Sequence, residues 1–329
     1  MKNWEQFFLF IQKIRKLLIS LKYNMQVILG AGGVIGNELA KELKKYTDAI
    51  RLVARNPQKI NENDELFKAD LLDKSQVIAA VEGAEVAYLT VGLPYKAKVW
   101  QKQWPVIMQN TISACKRHRT KLVFFDNIYM YHSEMLDGMV EETEVHPVSK
   151  KGKVRAQIAQ MLFNELSGAS IKALIARSAD FYGPGTKNSI FNEVVVKNLK
   201  AGKKANWFCS LNYNHNFTYT PDAAKATALL GNTESAFGQI WHLPTAAPKT
   251  GKQWIEAVAK ELDVVPKSMI VPKFMVQVLG IFNPVMKEFV EMLYQFDRNY
   301  DFDSSKFETV FNFKPTLPEE AIRAILKAD

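Results

Sequence analysis

Cysteine and histidine are scarce in this chain. Its 329 residues include two cysteines, Cys115 and Cys209, which offer neither a disulfide framework nor the spacing of a metal site. The five histidines, His118, His132, His146, His215 and His242, are scattered without ligand spacing, so no metal centre is expected. No apolar run is long and uncharged enough to span a bilayer, no small-residue cleavage site follows the N-terminal stretch, and no internal repeat or low-complexity tract interrupts the chain. These absences lead us to expect a reduced, cytoplasmic protein.

What is present suits a sizeable core: 47% of residues are hydrophobic and 23% charged. The segment Met25 to Gly36, MQVILGAGGVIG, joins an apolar run to three evenly spaced glycines and then to a helical pattern. Gly30 would turn the chain sharply off a first strand, Gly33 would let the backbone approach a pyrophosphate, and Gly36 would let the following helix pack closely on a sheet. That helix, from Val34 through about Tyr46, would begin with unpaired N–H groups at Val34 and Ile35 and the positive end of its dipole, both suited to phosphate. Three glycines after an apolar run also make a plain turn, so the surroundings decide. Strand-like runs follow at Ile50 to Arg55, Glu65 to Asp73, Ala84 to Gly92, Lys121 to Asn127 and Ile171 to Ser178, with helical periodicity between them. This alternation predicts an α/β fold, a Rossmann-type doubly wound parallel sheet spanning residues 25–180, with a smaller α+β substrate domain over 181–329. Within that second part, about 214–244 are expected to return to the core.

Formal net charge is +9, with basic clusters at Lys116 to Lys121, Lys150 to Arg155 and Lys197 to Lys204. No nucleic-acid reading motif accompanies them, so the first is read as a helix end and the other two as solvated helix faces or partners of a phosphate-bearing cofactor, and nucleic acid is not an expected partner. Residues 1–24 form a separate extension. Trp4, Phe7, Phe8, Ile11, Ile14, Leu18 and Leu21 recur at helical spacing beside Lys13, Arg15, Lys16 and Lys22, which predicts a basic amphipathic helix. It is read as a helix packed on its own domain, as residues added by an upstream start codon, or as a docking element for a membrane surface or a protein.

The glycine spacing, FFDNIYMYH, HPVSKKGKVRAQIAQML, ARSADFYGPG and NFTYTPDAAKA, in that order, resemble the short-chain dehydrogenase/reductase superfamily. More narrowly, the chain resembles an atypical member of the extended branch of NAD-dependent epimerase/dehydratases. The resemblance implies a nicotinamide dinucleotide and a tyrosine–lysine pair that performs proton chemistry within P-x-S-x-Y-G-x-x-K. Here that frame runs from Pro147 through Ser149 and Gly152, with Lys151 at the tyrosine position and Arg155 at the lysine position. The family's polarising serine or threonine, counted back from Tyr131, becomes Asn127. The neighbouring charge of Arg155 and an oxidised nicotinamide would lower the pKa of Lys151 and let it exchange protons. Asn127 would donate a hydrogen bond to a developing oxyanion. Arg155 would hold the ribose hydroxyls, and Tyr129 or Tyr131 would supply an alternative phenol. The competing view places Lys151 in a solvated cluster on a protein that binds dinucleotide without turning it over.

Cofactor choice is read from the end of the second strand, where Ala54 and Arg55 replace the carboxylate that would hold the ribose hydroxyls of NAD. NADP is therefore preferred over NAD, with Arg55 capping a surface turn before Asn56 and Pro57 as the alternative. The resemblance also places Asp70 and Leu71 at the adenine, Thr90, Val91 and Gly92 beside the ribose, and Ser178 and Ala179 near the carboxamide. An arginine that binds diphosphate in related proteins is His215 here. Phe181, Tyr182, Trp207, Phe208 and Tyr213 suggest apolar pocket walls, with core packing as the alternative. The expected substrate is a small carbonyl or hydroxyl compound, the competing function a dinucleotide-binding sensor or scaffold, and a homodimer is left open.

Overall fold

The computed structural model describes residues 24–168 and 170–328; the predicted helix over 1–24 falls outside them, apart from Asn24. Strands β1 (Met25–Leu29), β2 (Ile50–Ala54), β3 (Glu65–Lys68), β4 (Ala84–Leu89), β5 (Lys121–Asp126) and β6 (Ala173–Arg177) correspond to the apolar runs of the sequence. Helices α1 (Val34–Leu43), α2 (Lys74–Val81), α3 (Ala97–His118) and α4 (Lys150–Ser167) alternate with them.

The chain then forms β7 (Asp180–Tyr182), α5 (Lys197–Lys200), β8 (Ala205–Phe208), β9 (Asn214–His215), β10 (Phe217–Tyr219) and α6 (Thr220–Gly231). Beyond these come β11 (Ile240–His242), β12 (Lys249–Thr250), α7 (Gly251–Glu261), β13 (Ser268–Val271), α8 (Lys273–Phe282), α9 (Pro284–Phe289), α10 (Ser305–Phe311) and α11 (Pro318–Ala328).

The main sheet has seven strands in the order β11-β6-β5-β4-β1-β2-β3, and every pairing within it is parallel. The strand order reverses beside β1, which makes a crevice at the C-terminal ends of β1 and β4 where such sheets hold ligands. Both faces are covered, as parallel strands require. Helices α2, α3 and α4 pack in one layer and α1 with α6 in the other. In α1 the buried positions Ile35, Gly36, Leu39, Ala40 and Leu43 recur at the spacing of one helical face. The edge strand β11 is contributed by the later part of the chain, and α6 seals the sheet against α1.

A second core lies outside the sheet. Tyr182 packs against Phe191, Phe217 and Trp254, while Trp207 and Phe208 pack against Phe296. The apolar-pocket expectation is corrected for three of its residues: Tyr182, Trp207 and Phe208 are buried within this aromatic cluster. Phe181 packs on Phe125, and Tyr213 lies at the surface. Large rings offer the most apolar area per residue, so a small domain with few layers draws them inward.

Candidate dinucleotide and active site

The turn after β1 is built for close approach. Gly30 has φ of +102°, and a Cβ there would stand 2.3 Å from the Cα of Val91, so the loop and the end of β4 meet through a glycine. Gly33 differs: its backbone is extended, and a Cβ there would meet nothing nearer than the Gly30 carbonyl at 3.9 Å. The space above Gly33 is open. Gly33 also caps α1, with no side chain bonded to the cap, so among the described residues the first N–H groups, at Val34, Ile35 and Gly36, have no capping side chain. Ile35 turns its side chain into the core, so only its backbone faces the crevice. Gly36 lies 3.3 Å, from its missing Cβ, to the Thr90 Oγ1. That oxygen is buried and has no hydrogen-bond partner among the described residues. An open cradle, a free helix N-terminus and an orphaned hydroxyl fit a dinucleotide pyrophosphate.

Most of the remaining cofactor candidates follow the C-terminal ends of strands β2, β3, β4 and β6. Arg55 follows β2 and is exposed, as are Asp70 after β3 and Gly92 after β4. Asp70 accepts from the backbone N–H of Leu72 through Oδ1, and Leu71 is buried beneath it. Val91 is half-buried. Ser178 and Ala179 are buried after β6, with the N–H of Ser178 on the Asp126 carbonyl and that of Ala179 on Thr218 Oγ1.

The catalytic candidates meet where α4 abuts the loop after β5. Ser149 caps α4 by accepting from the Gly152 N–H. Gly152 allows the approach, since a Cβ there would lie 2.2 Å from the Tyr129 carbonyl. Asn127 accepts from the Tyr129 N–H through Oδ1, which leaves its amide NH2 as the end available to a ligand. Tyr129 stacks on Trp100, and burial raises its phenol well above the ordinary tyrosine value.

Lys151 is fully buried, so it does not belong to a solvated cluster; Lys150 and Lys153 beside it do. Its Nζ donates to the Glu288 carbonyl at 2.9 Å, to Glu288 Oε2 at 2.7 Å and to Glu291 Oε1 at 2.7 Å. All three ammonium protons are thereby engaged, and the ring of Tyr95 lies 4.3 Å away. Glu288 also accepts from the Ala97 N–H, and Glu291 from the Lys150 N–H, so both carboxylates clamp the starts of α3 and α4. Burial pushes the Glu288 carboxyl up, but the bonds from Lys151 and Ala97 outweigh it and hold it below its ordinary value. Sequence reading missed both glutamates, because they lie nearly 140 residues downstream in a segment without motif.

Arg155 is likewise buried. Its Nε donates to Asp126 Oδ1 at 2.6 Å, and its guanidinium lies 4.5 Å from the Trp104 ring centre. Asp126 faces a second buried arginine, Arg177, across 3.6 Å. From there the polar chain continues: Arg177 donates to the Tyr131 hydroxyl at 2.9 Å, which meets His242 Nε2 at 2.7 Å. His242 Nδ1 bonds the Asp303 carbonyl, which fixes Nε2 as the acceptor of the Tyr131 proton. Tyr131 is therefore held within this network. Asp126, Arg177 and His242 are the functional or structural partners that sequence motifs did not reveal.

Burial lowers His242 from 6.5 to about 3, so it is neutral in the folded protein while it titrates normally when unfolded. Above pH 6.5 it contributes no pH-dependent loss. As pH falls from 6.5 toward 3 the unfolded chain takes up the proton first, and stability should drop by about 1.4 kcal/mol per pH unit across that window. Urea unfolding of His242→Gln between pH 7 and pH 4 should show a clearly shallower loss than the parent; identical slopes would exclude the histidine as the source.

His215 is buried between Phe296 and Tyr300, with Nδ1 against the Gln295 carbonyl and Nε2 3.1 Å from Asp180. Both ring nitrogens are occupied. Among the described residues no cluster of acidic, histidine and cysteine side chains could hold a metal, and no helix is long and apolar enough to cross a membrane.

Fold and crevice together define a dinucleotide-binding α/β protein. Residues 26–241 match the model of the NAD dependent epimerase/dehydratase family, and the chain belongs to that family. It is 21% identical to a 3beta-hydroxysteroid-dehydrogenase/decarboxylase isoform 2 of Arabidopsis thaliana, with 90% of this chain covering 60% of that protein's length. An uncharacterised UDP-glucose epimerase of Bacillus subtilis is 22% identical over 62% of this chain and 72% of its own. Among solved structures, the UDP-glucose 4-epimerase of Thermus thermophilus in complex with NAD superposes with a TM-score of 0.71 at 18% identity, covering 92% of this chain and 98% of that one. At that identity the likeness concerns the fold.

Proposed function

We propose that the protein is an NAD(P)-dependent oxidoreductase or epimerase-like enzyme that prefers NADP and acts on a small carbonyl or hydroxyl compound. The observation that carries the reading is the cradle at Gly33, open above a helix start without a capping side chain and bordered by the orphaned Thr90 hydroxyl. Gly30, Gly33 and Gly36, with the N–H groups of Val34 and Ile35, would hold the pyrophosphate. The exposed Arg55 supports a 2′-phosphate partner, and Asp70, Leu71, Thr90, Val91 and Gly92 would line the adenosine side. The bound dinucleotide would supply or accept a hydride; the protein's part is to orient the substrate oxygen and handle its proton.

Asn127 would polarise that oxygen through its amide NH2. Tyr129 stays protonated and would donate to a developing alkoxide. Lys151, engaged by Glu288 and Glu291, would serve as the fixed cation that orders both carboxylates, and Arg155 would order the end of β5 through Asp126. Relatives named for UDP-glucose suggest a sugar nucleotide, but His215, at the place of a diphosphate-binding arginine, is buried and engaged on both nitrogens. This favours a substrate without a diphosphate. The engaged ammonium of Lys151 favours a second reading, a dinucleotide-binding sensor or scaffold.

Calorimetry with both dinucleotides and single-turnover deuteride transfer from 4-deuterated NADPH to a carbonyl panel test the proposal. Tighter binding of NADP is expected, together with transfer to at least one carbonyl and a roughly hundredfold slower transfer in Tyr129→Phe at unchanged cofactor affinity. Equal affinities would remove the NADP preference. Binding without transfer to any carbonyl would leave the sensor.

A further inference from the structure

Half of the exposed large hydrophobic side chains among the described residues, 11 of 22, fall between Val264 and Val285. Among the described residues, helix α8 is buried at Val276 and Gly280, and Phe274, Met275, Val278, Leu279, Ile281 and Phe282 on it are exposed. Gly280 sits close to the backbone of Lys287, so α8 and α9 pack as a hairpin. At its turn Ile281 is 75% exposed, Phe282 83% and Val285 61%. These side chains make an apolar ridge that faces solvent. Solvent-facing patches of this kind mark interaction sites.

The charge of this stretch of chain points to the occupant. From residue 264 through residue 287 the chain contains no aspartate or glutamate, while Lys267, Lys273 and Lys287 are all exposed. Lys273 lies near Asp297, and the other two form no ion pair among the described residues. A second copy of the same surface would bring lysines against lysines. The basic N-terminal segment of this chain, with Lys13, Arg15, Lys16 and Lys22, would do the same. An anionic lipid surface complements both the lysines and the ridge, and it accepts exposed apolar side chains without needing a matching groove.

We propose that the α8–α9 hairpin docks the protein on anionic membranes, with Ile281, Phe282 and Val285 inserted at the headgroup boundary and Lys287, which packs against Gly280 in the same hairpin, on the lipid phosphates. The test is sedimentation of the full chain with vesicles of phosphatidylcholine alone or mixed with phosphatidylserine. Binding is expected on the mixed vesicles, weakening with added salt, and falling by more than about tenfold in I281S/F282S. A fall of about fivefold or more is expected in K287E. Unchanged thermal unfolding of both variants shows that the fold is intact, since these side chains are exposed. No binding by the parent chain, or binding that both variants retain, would overturn the proposal. The latter result would assign the membrane contact to the N-terminal segment. Loss of a dimer in I281S/F282S, seen by light scattering without vesicle binding, would also overturn it and make the ridge a contact between copies.

Discussion

Replacing Asp126 by alanine should destabilise the protein by about 3 to 5 kcal/mol, because it leaves two buried arginines without their shared carboxylate. Arg155 and Arg177 are almost completely inaccessible, and Asp126 stands between them at the end of β5. A guanidinium cannot shed its charge to escape this position, unlike a lysine or a histidine. The loss would be read from the urea midpoint of Asp126→Ala at pH 7. The same substitution placed in an Arg155→Met, Arg177→Met background should cost far less, since the stranded charges are gone. A loss below about 1 kcal/mol in the parent background would mean that water reaches the arginines and that the network is not a dry one.

Gly33→Val is expected to leave the fold intact and to weaken dinucleotide binding on the order of a hundredfold, about 2.8 kcal/mol. Its backbone is in the extended region that valine readily adopts, and the new side chain would meet open space in the free protein. The same methyl groups would occupy the cradle proposed for the pyrophosphate. Gly30→Val makes the contrast: it forces a β-branched residue to positive φ and against the Val91 backbone, so it should damage folding itself. Calorimetry with NADP and a thermal melt separate the two outcomes. Equal affinity in Gly33→Val and the parent would place the nucleotide elsewhere or remove it from the function.

The α/β class, the parallel strands through β6 and the glycine turn were legible in the sequence because each rests on local pattern. Buried parallel strands read as apolar runs, an amphipathic helix declares its period, and a glycine turn requires glycine whatever the distant chain does. The position of α4 was legible for the same reason, through the Pro147, Ser149 and Gly152 frame and the Ser149 cap. What those patterns could not convey was the surroundings of the side chains they carried. KKGKVR reads as a run of solvent-facing charge, yet every third or fourth residue of a helix faces inward, and Lys151 and Arg155 are four apart on the buried face.

Only the tertiary structure decided what those two cations meet. Glu288 and Glu291 come from the far end of the chain, beyond any helical or strand period, and Asp126 is hidden within an apolar strand. Ion pairs depend on distance in space and on exclusion of water, and neither quantity is written in the spacing of residues along a chain. The local sequence therefore determined the dinucleotide scaffold of this protein. Its long-range packing turned the expected proton carrier Lys151 into a buried, fully bonded cation, and it left the α8–α9 ridge facing outward.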